Sequence, residues 1–215
     1  MVYARLSEAN RKTFNSQILS GGVEMCKRRM LLVSIGLVAM LFLVASPQII
    51  AGNYNRNAAE AQADTFSCND CQEPHDDDYN YYPGNDCTNF VSQVLHEGGY
   101  PYRGCCWNRW NLSYWFHAGT DSYTWTGTPH INQYFGTYPS EFEYKGWPTQ
   151  LNKGDVFLFD FPDQQGNRDN IPDHAAVIVG DGGGLKDQHT PPRKRVAWDA
   201  FAPPGTAYWS VHVKW

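Results

Sequence analysis

Asn85-Asp86-Cys87-Thr88-Asn89-Phe90-Val91-Ser92-Gln93-Val94-Leu95-His96-Glu97-Gly98-Gly99 is the stretch from which the organisation of the chain is read. Phe90, Val91, Val94 and Leu95 recur at helical spacing and predict one apolar face. Asn85 or Asp86 is placed to cap the start, and Gly98-Gly99 followed by Pro101 ends the helix. Cys87 then falls in the first turn. A thiol there feels the positive end of the helix dipole, which favours thiolate. The free backbone N–H groups of a helix start can also hold a developing oxyanion. The same spacing suits a structural cysteine at the start of a core helix, so both readings stand at this point.

The 215 residues allow one domain and a targeting segment. Residues 30–44, MLLVSIGLVAMLFLV, form an apolar run behind Lys27-Arg28-Arg29, with small residues at Ala45-Ser46 and Ala51-Gly52. That layout predicts a leader over residues 1–51, a secretory signal peptide with a possible true start at Met25. The alternative is an uncleaved membrane anchor over Leu31 to Ala51, close to the roughly 20 residues that span a bilayer. The expected location is therefore secreted or cell-wall associated, or membrane-anchored with the domain outside. Contact with the membrane is then only transient, through the leader, if the leader is cleaved. The leader holds six of the 17 Lys+Arg and two of the 22 Asp+Glu, leaving 11 against 20, a formal charge of −9. So acidic a domain is a poor partner for nucleic acid. Arg193-Lys194-Arg195 is its basic run and reads as a solvated loop after Pro191-Pro192.

Five cysteines follow the leader: Cys68, Cys71, Cys87, Cys105 and Cys106. In an oxidising compartment an odd count leaves one thiol over. If that thiol is Cys87, then Cys68 and Cys71 are available to pair with Cys105 and Cys106. A zinc site built from the same four cysteines with His75, and free thiols, are the other readings. Connectivity is not readable from spacing.

Over residues 52–215 the pattern is helix first and strand later. Tyr54 to Phe66 is Ala-rich and predicts a first helix. Residues 67–84 read as a loop, with Asp76-Asp77-Asp78 as a solvated turn that lacks the spacing of a calcium loop. Residues 100–147 are aromatic with little periodicity, and Trp125 is a candidate to line a groove or to join the core. Strands are expected at Asp155–Asp160, His174–Gly180, Leu185–His189, Val196–Phe201 and Tyr208–Trp215, with a turn at Gly182-Gly183-Gly184. The class is α+β, N-terminal helices packed on a C-terminal antiparallel sheet.

Cys87 at a helix start, His174 at a strand start and His189 on the next strand make a set suited to covalent amide chemistry. The thiol needs a base that takes its proton and returns it to the leaving amine. Histidine does this near neutrality, and a second histidine can fix its tautomer. Each histidine also has a structural reading, as a strand cap or an exposed loop residue.

Asp86-Cys87-Thr88-Asn89-Phe90-Val91-Ser92-Gln93 followed by Gly98-Gly99 resembles the signature of a bacterial putative amidase domain family. That family is similar to the NlpC-type and CHAP-type cell-wall hydrolases, which are papain-like cysteine enzymes. Tyr54-Asn55-Arg56 with Ala58-Ala59 resembles its opening helix, and Ser122 to Trp125 its central motif. Gly154-Asp155-Val156, the His174 strand and Gln188-His189-Thr190 resemble its later motifs, so the likeness covers about residues 53–195. The resemblance implies a papain-like fold, Cys87 as nucleophile, His174 as base and His189 as the orienting residue. It implies hydrolysis of an amide in peptidoglycan or a related peptide, with no metal or cofactor. Asp86 and Trp125 are the expected substrate-side residues, although Asp86 also reads as a helix cap. Gln62 stands where the family pattern has an aromatic residue, and the insertion carrying Cys68 to Asp78 is longer than usual. A non-catalytic cell-wall-binding module and an acyltransferase are the alternatives on the same fold.

Overall fold

The computed structural model describes residues 53–215, so the expected leader, its start and its cleavage sites lie outside the described residues. Four α-helices come first: α1 (Arg56–Thr65), α2 (Cys87–Glu97), α3 (Tyr123–Thr126) and α4 (Thr128–Thr137). Six strands follow: β1 (Phe142–Lys145), β2 (Val156–Asp160), β3 (His174–Val179), β4 (Leu185–Gln188), β5 (Arg193–Ala197) and β6 (Ala207–Val213). They form one antiparallel sheet in the order β1-β6-β2-β3-β4-β5. The architecture is α+β. Among the described residues no helix is long and apolar enough to cross a membrane.

Pleating gives the sheet two distinct faces. Val156, Leu158, Ala175, Val177, Val179, Val211 and Val213 point to one side and meet Phe90, Val91, Val94 and Leu95 of α2. Phe157, Phe159, Ala176 and Ile178 point to the other, where Leu151 and the half-buried Phe161, Trp198, Ala202 and Tyr208 cover them. Helix α2 therefore packs on one face only, and chain from the loops closes the second.

The α2 helix is buried from Cys87 to Leu95, polar residues included. Its non-sheet stripe is the polar half of the octet. Asn89 Oδ1 accepts from Trp125 Nε1 (2.7 Å), and Ser92 Oγ donates to the Trp125 carbonyl (2.9 Å) and accepts from Trp115 Nε1 (3.2 Å). Trp125 is fully buried, stacked on Tyr79 and tilted against Trp115. It is a core residue and lines no groove, because both its ring and its N–H are used to hold the outer side of α2. Gly98 ends the helix against the Tyr54 ring, where a Cβ would lie 2.3 Å from a ring carbon.

Several expectations are revised. Residues 123–137 and 142–145 form α3, α4 and β1, which the aromatic composition of that region hides. The fifth strand is Arg193–Ala197 instead of Val196–Phe201, so the basic run is an edge strand and not a loop. Charged residues suit an edge, where one side of the strand faces water. Its cations also neutralise α1: Arg195 pairs with Glu60 and Asp64, and Lys194 Nζ donates to the Asp64 carbonyl. Cys68 and Cys71 are disulfide-bonded to each other, while Cys105 and Cys106 are free. Of the arrangements left open by the sequence, the structure has a local link, since Cys68 and Cys71 bend back within one short loop.

One buried ion pair ties the two halves of the chain. Arg56 of α1 donates to Asp155 Oδ1 (2.7 Å) and to the Lys153 carbonyl (2.9 Å). Asp155, with no exposure, also accepts from Val213 N (3.0 Å), Asn152 N (2.8 Å) and His212 Nδ1 (2.8 Å). Removing one partner strands a buried charge, so Arg56→Met is expected to lower the unfolding free energy by about 3–5 kcal/mol. Breaking the exposed Lys145–Glu143 pair should leave stability nearly unchanged. Urea denaturation of the two variants measures the contrast.

Candidate active site

Cys87 is the first residue of α2 and is 4% exposed. Its Sγ lies 3.7 Å from Thr128 Oγ1 and 3.8 Å from Thr88 Oγ1, and the two hydroxyls hydrogen-bond each other at 2.7 Å. Thr128 opens α4 and was not foreseen, because only the packing of α4 against α2 brings it there.

Asp86 precedes the thiol but does not cap the helix with its side chain. Its Oδ2 accepts from His189 Nδ1 (2.7 Å), and its Oδ1 accepts from Tyr82 N (2.9 Å) and Asn89 Nδ2 (2.8 Å). Its own backbone N–H donates to Thr190 Oγ1 (3.0 Å). Asp86 is wholly buried and holds the N-cap position through its backbone alone, its carboxylate being spent on His189, Tyr82 and Asn89. One consequence concerns the helix start. The Phe90 N–H closes the first turn on the Asp86 carbonyl (2.9 Å), and among the described residues nothing accepts from the N–H groups of Cys87, Thr88 and Asn89. The cysteine sits beside three uncapped donors.

His189 has both ring nitrogens committed to acceptors. Nδ1 faces Asp86 and, at 3.0 Å, Glu73; Nε2 faces the Phe66 carbonyl. Both nitrogens must donate, which makes the ring an imidazolium. Burial alone would lower its pKa, but the bonds to Asp86, Glu73 and Phe66 outweigh that and raise it to about 9. The ring also stacks on Phe90, centroids 4.1 Å apart. A ring so held has no nitrogen left to orient His174, and the structure brings His189 to Asp86 instead. The donor atoms of Glu73, Asp86 and His189 lie within 4.8 Å of one another, a grouping from which a metal site can be built. Tetrahedral ligands stand roughly 3.4 Å apart. The 2.7 and 3.0 Å separations here fit shared protons better.

His174 begins β3 and shares the parity of Ala176 and Ile178, so it points to the face opposite α2. Its ring lies 5.8 Å from Phe159 and 5.9 Å from Phe161, centroid to centroid. It lines a cavity of about 270 Å³ together with Lys186, Gln188 and Thr190. Burial, and then the neighbouring Lys186 charge, bring its pKa down to about 4, so the ring is neutral at physiological pH. Its Nε2 is buried without a hydrogen-bond partner. Among the described residues no hydrogen bond joins Cys87 to His174 or to His189. The helix start and the His174 cavity do share a wall: Thr190 lines the cavity and accepts the Asp86 N–H. Lys186 and Glu73 were not singled out from the sequence, since only strand register and the fold of the insertion place them here.

With this geometry in view, the comparisons with known proteins are informative. Residues 53–212 match the family model described as "Putative amidase domain", and the chain belongs to that family. It is also 32% identical over 95 residues to the uncharacterized protein YhbB of Bacillus subtilis (strain 168), a stretch covering 43% of this chain and 28% of that protein. The chain thus spans well under half of that relative's length. No solved structure matches.

The His189 cluster makes stability depend on pH. Its folded pKa, about 9, lies above the ordinary 6.5, so its contribution is fully present below pH 6.5 and is lost as pH rises toward 9. The loss should be on the order of 3 kcal/mol. Urea midpoints across that range should fall for the native chain and flatten in His189→Gln.

Proposed function

We propose that this protein is an exported cysteine amidase, papain-like in architecture, that hydrolyses an amide bond in peptidoglycan or a related peptide. Membership of the amidase family supports amide hydrolysis. The observation that carries the finer reading is Cys87 at an uncapped helix start, with three N–H donors unspent because the Asp86 carboxylate is turned toward His189. Packing of that helix on an antiparallel sheet favours the papain-like comparison. The Cys68–Cys71 disulfide suits an oxidising compartment, in keeping with the leader-like residues 1–51.

In this mechanism Cys87 Sγ attacks the carbonyl carbon while the helix N–H groups hold the oxyanion. The S–C bond forms, the C–N bond breaks, and the thiol proton passes through His174 to the leaving nitrogen. Water then cleaves the thioester, releasing a carboxylic acid and restoring the thiol. His174 suits the role as a neutral ring with an unpartnered nitrogen at a cavity that meets the helix start through Thr190. His174 projects from the opposite sheet face, so joining thiol and ring requires the start of β3 to re-orient in the substrate complex. His189 serves as a positioning residue that draws the Asp86 carboxylate away from the helix start.

A second observation favours binding to wall material. Trp107 and Trp110 are each 70% exposed, and flat rings of this kind stack on sugars. A non-catalytic module would bind wall fragments saturably without cleaving them.

Release of amines from peptidoglycan fragments and N-acylated peptides separates these readings. Cys87→Ala should reduce the rate to background, and His174→Ala should lower kcat/KM by about 10²- to 10⁴-fold. A Cys87→Ala protein that cleaves at the native rate would end the cysteine mechanism.

A further inference from the structure

On the sheet face away from α2, the side chains of His174, Lys186 and Gln188 converge. Register places Lys186 opposite Ile178, on the face of His174, and Gln188 shares that parity. Lys186 is 2% exposed, its Nζ rests 4.3 Å over the Phe159 ring, and among the described residues it has no carboxylate partner. Gln188 Oε1 and His174 Nε2 are both buried short of good hydrogen-bond geometry, with the His174 ring within reach of the Gln188 side chain, whereas Gln188 Nε2 is anchored to the Pro191 carbonyl (3.1 Å). The remaining cavity walls are apolar and include Phe161, Phe201 and Ala202. Arg193, its guanidinium 4.4 Å over the Phe201 ring and paired with Asp70, lies beyond this wall.

This half-open cavity presents a buried ammonium on a domain whose overall charge is strongly negative. A buried ammonium without a counter-ion is costly, and each orphaned buried acceptor adds to that cost. A ligand that offers a carboxylate to Lys186 and an N–H to Gln188 Oε1 removes both penalties at once. Burial, and behind it the Arg193 charge, lower the Lys186 pKa to about 8 against the opposing charge of Asp199, and a bound carboxylate would raise it again. The volume of about 270 Å³ lies just below the usual range for small-molecule sites and holds one small residue.

We infer that this cavity receives the C-terminal residue of a peptide, its carboxylate on Lys186 and its amide N–H on Gln188, with a small side chain against the apolar wall. Resting on the amidase reading above, the assignment makes that residue the leaving group. Its nitrogen lies next to His174, the group that returns the proton. The enzyme then trims peptides from a free carboxyl end, and amidated or extended ends are poor substrates.

The test uses the full chain carrying Cys87→Ala, with N-acetyl-alanyl-alanine and its C-terminal amide as probes. Acetylation of Lys186 by acetic anhydride, mapped by peptide mass, is read with each probe present. The free acid should protect Lys186, and the amide should bind about 10- to 100-fold more weakly. Titration calorimetry reads the same two probes on Lys186→Met, where the preference for the acid should be lost. Equal protection by acid and amide, or none by either, overturns the assignment on the unaltered pocket, whatever the folding of the lysine variant. Hydrolysis by the native chain distinguishes the two readings. Carboxylate-dependent protection without Cys87-dependent cleavage supports the pocket and overturns the amidase reading. Cleavage indifferent to the free carboxylate overturns the pocket alone.

Discussion

The hydrogen bond from the His189 imidazolium to the Asp86 carboxylate, 2.7 Å long and fully buried, is the constraint around which the site is arranged. It decides where the carboxylate next to Cys87 points. An aspartate at a helix start ordinarily turns inward and satisfies the first N–H groups. Here His189 and the Tyr82 and Asn89 nitrogens take both of its oxygens, and the donors beside the thiol stay unspent. The same bond joins the end of β4 to the start of α2, so strand and helix cannot shift independently. Glu73 completes the cluster by accepting from the Thr190 N–H (3.1 Å) and facing His189.

Pleat parity is the second governing fact. His174 and His189 lie near each other along neighbouring strands, yet one strand face carries His174, Lys186 and Gln188 and the other carries Asp187 and His189. Asp187 is on the helix side, bonded to Ser67 (2.8 Å), while Lys186 faces the cavity. A one-residue difference in position sends two histidines to two environments. One ring is held doubly protonated by carboxylates, and the other is kept neutral by burial.

Gln62 and the segment from Cys68 to Asp78 are physically coupled. Gln62 Nε2 donates to Asp76 Oδ2 (2.9 Å), so a polar residue on α1 fastens that insertion. That insertion in turn delivers Glu73 to His189 and Asn69 to the backbone of β5, where it bonds both N and O of Lys194. A polar residue on α1 is thus the anchor of a polar loop. The acidic run within the insertion behaves as a turn, with Asp76 Oδ1 accepting from Asp78 N (3.0 Å).

Much of this was legible in the chain. Helical spacing from Phe90 to Leu95 and the apolar strands at 156–160 and 174–179 determined the α+β class and which face of α2 meets the sheet, because burial of a stripe depends only on period. The placement of Cys87 at a helix start followed from the capping and stop residues around it. The aromatic stretch from 100 to 147 stayed opaque, since rings such as Trp125 and Trp115 carry the same letters whether they line a groove or hold a core. Side-chain direction was equally out of reach. Which face His174 takes, what Asp86 binds and where Lys186 points are set by strand register and by loops arriving from more than 100 residues away. Sequence by itself determined the elements and the thiol's place at the head of α2, both of which are local. Only the tertiary structure decided the partners of the charged groups, because those are non-local contacts that exist once the sheet has closed.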